Sequence, residues 1–75
     1  MPHKPYPTEI FIKFLQRVGC KQIGTNKHEK WMREGLLGPV MFSPSKREIP
    51  SMVIKSNLRT LGMTWVEFEQ IVKDL

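Results

Sequence analysis

His28 is the residue in this chain best suited to move a proton. It stands in the run Gly24-Thr25-Asn26-Lys27-His28-Glu29-Lys30-Trp31, with one lysine directly before it and another two residues after. An imidazole with an ordinary pKa of about 6.5 both takes and gives protons near neutral pH. Ammonium groups beside it attract an anion and stabilise charge that builds up on phosphorus. The combination fits proton transfer on a phosphate-bearing substrate, with His28 as acid or base and Lys27 and Lys30 as the cationic holders. On a purely solvated strand the same residues would contact backbone phosphates and do no chemistry, which is the non-catalytic alternative.

Placing His28 needs a chain reversal followed by a strand. Gly24-Thr25-Asn26 supplies the turn, Cys20 to Ile23 a short strand before it, and His28 to Arg33 the strand after it. The period of two puts His28, Lys30 and Met32 on one face and Glu29, Trp31 and Arg33 on the other. Trp31 is then expected to pack beneath the helices, with base contact as the alternative role. Glu29 faces away from the histidine and is not expected to be its partner.

The flanking helices are marked by apolar spacing. Ile10, Phe11, Phe14, Leu15 and Val18 form one stripe of a helix over 8–18, with Thr8 as expected N-cap and Gly19 as stop. Lys46 to Ile49 give a third strand closed by Pro50. Ser51 is the expected N-cap of a helix bearing Ile54, Leu58 and Leu61 on one side, ended by Gly62. Lys55 and Arg59 form a basic exposed ridge on it, either a solvated face or, with Lys46 and Arg47, a grip on a second phosphate. In the last helix Thr64 and Glu67 make a capping box, Met63 and Phe68 a hydrophobic staple, and Phe68, Ile71, Val72 and Leu75 the stripe. The stretch from Gly35 to Ser45, with two glycines and two prolines among apolar residues, leaves three options. Val40 to Phe42 add a short strand, the segment folds over the sheet, or it meets a partner protein.

Composition bounds the rest. Seventy-five residues with 40% apolar content close one core and leave no room for a deep pocket, so the working surface should be open. A net charge of +5 and a pI of 9.7 favour an anionic partner. Cys20 is the single cysteine, so there is no internal disulfide, and with His3 and His28 alone beside it there is no zinc set. No cofactor or metal is expected, and a reducing cytoplasm is the expected compartment. The first seven residues lack the apolar core of a signal peptide and, with prolines at 2, 5 and 7, read as an extended lead-in to one domain spanning 1–75. No apolar run approaches the roughly 18 residues of a membrane span.

The resulting order is αβββα, an α+β fold with a three-stranded antiparallel sheet and helices on one face, as in a double-stranded-RNA-binding domain. The chain also resembles a known family. Gly24 to Trp31 is similar to the glycine-serine-histidine-x-x-aromatic signature of HicA toxins, and Ile54 to Thr64 to their C-terminal leucine-lysine-x-x-glycine-leucine-serine segment. The resemblance covers about residues 8–70. It implies a toxin with that RNA-binding fold which cleaves messenger RNA, is neutralised by a HicB antitoxin, and uses His28 as its catalytic residue with Trp31 at the aromatic position. Two features depart from the pattern. Lys27 replaces the motif's serine, and the excursion between the second and third strands is longer than the usual turn. Two other readings stand beside it: a non-catalytic nucleic-acid-binding domain, and a protein-interaction module working through the apolar loop at 36–42.

Overall fold

A computed structural model describes residues 4–25, 29–36, 38–43 and 47–75. The order is β1 (Tyr6–Pro7), α1 (Thr8–Arg17), β2 (Lys21–Thr25), β3 (Glu29–Met32), β4 (Val40–Phe42), β5 (Glu48–Ile49), α2 (Ser51–Leu61) and α3 (Trp65–Lys73). β2, β3 and β4 form an antiparallel sheet in that order, with Trp31 opposite Gln22 on one side and Val40 on the other. The helices pack against this sheet, so the α+β architecture with its αβββα order holds.

The core follows from the stripes. Phe11, Phe14 and Leu15 of α1, Ile54, Leu58 and Leu61 of α2, and Phe68 of α3 are buried against Trp31, Val40 and Phe42 of the sheet. Phe68 meets Phe14 edge-on with centroids 4.7 Å apart and Tyr6 edge-on at 4.9 Å. Phe11 meets Phe42 edge-on at 5.4 Å, tying α1 to the sheet. Such tilted pairs add to the burial of the rings themselves.

Three details differ from the sequence reading. The third strand of the sheet is Val40–Phe42, not the segment 46–49. Val40 and Phe42 point inward with Met41 outward, the alternation a half-buried strand needs, whereas Ile49 is the one apolar side chain before Pro50. Glu48–Ile49 instead pairs with Tyr6–Pro7 as a separate two-stranded ribbon, so the lead-in ends in structure. The helix caps move back by one residue. Pro7 and Pro50 occupy the N-cap positions in extended conformation, Thr8 and Ser51 become the first helical residues, and neither helix start has a side-chain cap bond. Here the ribbon strands run directly into the helices, and the Thr8 amide donates to the Arg47 carbonyl at 2.8 Å.

The remaining punctuation is as read. Gly62, with φ of 71°, closes α2 in the left-handed region that glycine enters without strain. Thr64 and Glu67 form a complete capping box on α3, the Thr64 hydroxyl accepting from the Glu67 amide at 3.2 Å and the Glu67 carboxylate accepting from the Thr64 amide at 3.1 Å. No helix among the described residues is long and apolar enough to cross a membrane.

Candidate nucleic-acid interface

Asn26, Lys27 and His28 lie outside the described residues, as does Lys46. Trp31 is 5% exposed, so the indole packs in the core and is not available to stack on a base, which corrects the alternative role given to it. Its Nε1–H donates to the Glu29 carboxylate at 3.3 Å, and the Gln22 amide donates to the same oxygen at 3.2 Å. Glu29 is thus engaged on the helix side of the sheet, with Trp31 and Gln22, as the period of two requires.

The opposite face is open. Lys30 is exposed between Gly24 of β2 and Met41 of β4, and Lys21 lies opposite Met32 on the same face. The β2–β3 register shifts between Gln22 and Gly24, and Ile23 at this bulge is 60% exposed. Lys21, Ile23, Lys30 and Met41 (45% exposed) together make a basic and apolar surface to which the strands contribute no carboxylate among the described residues. Lys21 was not singled out by sequence, because its face is fixed by the bulge and the pairing with β3, which no local pattern reveals.

The other basic candidates among the described residues lie in two places. Arg47 is exposed beside the β1–β5 ribbon, while Lys55 and Arg59 are exposed on α2. Lys55 and Arg59, one turn apart, adjoin Met52 and Ser56, which line a trench between α2 and the edge of β4. That trench holds about 400 Å³ and is lined by Pro39 and Met41 from the sheet side and Met52, Val53, Ser56, Asn57 and Thr60 from the helix.

Asn57 and Arg33 are two polar residues the sequence did not flag. Asn57 is buried, and its amide accepts from the Met41 N–H at 3.3 Å and donates to the Met41 carbonyl at 3.0 Å. It stands where a neighbouring strand would stand and satisfies the outer edge of β4. Arg33 donates to the Val18 carbonyl at 3.0 Å and, at the long limit, to the Leu61 carbonyl at 3.5 Å. One guanidinium thereby meets the C-terminal ends of both α1 and α2, where a cation complements the helix dipoles. Both partners are backbone groups remote in sequence, so no spacing rule announces them. Beneath this point burial pushes the Cys20 thiol above its ordinary pKa, an effect the nearby Arg33 partly offsets.

No convergent group of three His, Cys, Asp or Glu side chains occurs among the described residues. The chain matches no protein-family model, no curated protein and no solved structure.

Proposed function

We propose that the chain is an RNA-cleaving toxin of the HicA type, held inactive by a HicB-like antitoxin. The observation that supports this reading best is the outer face of the sheet. It is open, it presents Lys21 and Lys30, and its strands contribute no carboxylate there among the described residues. Such a face attracts a phosphate backbone without offering a closed pocket for a small metabolite. His28 immediately precedes the first residue of β3 in sequence, and Lys30 lies two residues further on.

In this reading His28 takes the ribose 2′-hydroxyl proton or returns a proton to the leaving oxygen, and the lysines stabilise charge on the phosphate. Glu29 takes no part, because its carboxylate is held by Trp31 and Gln22 on the helix side. One acid-base group contributes about 100 to 10,000-fold, so turnover is slow. The resemblance to HicA toxins through the motif at Gly24 to Trp31 carries the choice of cleavage over simple binding. The test is cleavage of a defined messenger RNA in chelator by wild type and His28→Ala, both checked for folding. Cleavage by wild type alone supports the reading. Salt-sensitive binding without cleavage by either replaces it with a non-catalytic RNA-binding domain, and equal cleavage by both removes His28 from the site.

A further inference from the structure

We propose that the trench between β4 and α2 is a docking site for an acidic amphipathic helix of a partner protein. The inference does not depend on RNA cleavage. Four of the trench's seven lining residues, Pro39, Met41, Met52 and Val53, are apolar, and Met41 and Met52 are 45% and 80% accessible. Methionine side chains adapt to varied apolar surfaces, which suits a peptide groove better than base stacking, for which a flat aromatic would be needed.

Charge names the partner. On the helix rim, Lys55 lies three residues from Met52 and Arg59 three residues from Ser56, so each cation borders a lining residue on the α2 surface without itself lining the trench. On the sheet rim, Lys30 is the cross-strand neighbour of Met41. Lys30, Lys55 and Arg59 form no ion pair among the described residues. Between Pro39 and Thr60, the first and last lining residues, the sequence contains one acid, Glu48, against Lys46, Arg47, Lys55 and Arg59. Exposed methionines between cations on the α2 and sheet sides complement a helix with leucines on one side and carboxylates flanking them.

The edge chemistry selects a helix over an added strand. An extended peptide would need the Met41 N–H and carbonyl, and Asn57 already occupies both. Strand addition is thereby blocked at the middle of β4, leaving side-chain contacts as the mode of docking.

The test titrates the full chain with a synthetic amphipathic helix carrying leucines on one face and glutamates on the other, following the methionine methyl signals by NMR. Saturable shifts of the Met41 and Met52 methyls are expected. Met52→Glu and the double variant Lys55→Glu/Arg59→Glu should each weaken binding by at least about tenfold. Both sites are exposed, and a glutamate at 52 sits in the first turn of α2 where it favours the helix, so the variants should fold. A peptide with lysines in place of glutamates should not bind. Absence of methyl shifts, unchanged affinity in Met52→Glu, or equal binding of the lysine peptide each overturns the proposal. So does a single-stranded RNA that shifts these methyls while the acidic helix does not, since the trench would then belong to the nucleic-acid surface.

Discussion

Asn57 shows how one side chain can stand in for a strand. Its amide makes two bonds to Met41 and closes the outer edge of β4. Asn57→Leu keeps a similar volume but leaves a backbone donor and acceptor without partners, which should cost about 2 kcal/mol. Urea denaturation at an unchanged m-value would read that loss directly. Cys20 makes a second prediction at this scale. Desolvation raises its pKa above 9.0, and desolvation followed by the Glu69 charge raises Tyr6 above 10.0. The folded chain therefore keeps protons that the unfolded chain releases. Their contribution to stability is fully present near neutral pH and is lost as pH rises past the ordinary thiol value of 9.0. Unfolding midpoints should be flat near neutrality and fall above it, and Cys20→Ala should remove the thiol's part of the slope while costing about 1 kcal/mol in packing.

At the scale of elements, junctions hold the layers in place. Arg33 joins the carboxyl ends of α1 and α2 to the end of β3, so Arg33→Met should destabilise by about 1 to 3 kcal/mol, measured by chemical denaturation. Thr64→Ala removes the hydroxyl half of the box on α3, leaving the backbone amide at that position bonded to the Glu67 carboxylate, and should cost about 1 kcal/mol, with amide exchange rising first in the opening turn of that helix. The helices were legible because their stripes run over ten residues or so, long enough for a period of 3.6 to stand out. The short strands were not. β4 has three residues and β5 has two, so their spacing could not decide which of them joins the sheet. Thr8 and Ser51 looked like caps because their side chains suit the role, yet the prolines before them are already extended and paired with or adjoining the ribbon. Lys30 and the inward turn of Trp31 followed from the period of two alone. Lys21 needed the bulge, and Asn57 and Arg33 needed partners remote in sequence, which is why the site was legible only along β3.

For the whole molecule, the distribution of charge matters more than its sum of +5. Glu67, Glu69 and Asp74 gather at α3, where Arg17 pairs with Asp74 at 2.7 Å, while the cations of the outer sheet face and α2 form no ion pair among the described residues. Polarity of this kind orients an anionic chain toward the sheet before any contact forms. If RNA lies across that face, Lys21 and Lys30 each neutralise a phosphate and release its condensed counterion. The plot of log affinity against log salt for a single-stranded RNA should then flatten by about 0.7 for each of Lys21→Ala and Lys30→Ala, and by their sum in the double variant. Lys73→Ala, on the helical layer, should leave the slope unchanged. An affinity loss without a change of slope would mean that these lysines act through packing or positioning rather than on phosphates. A change of slope in Lys73→Ala equal to that in Lys30→Ala would move the RNA path off the sheet and onto the helices.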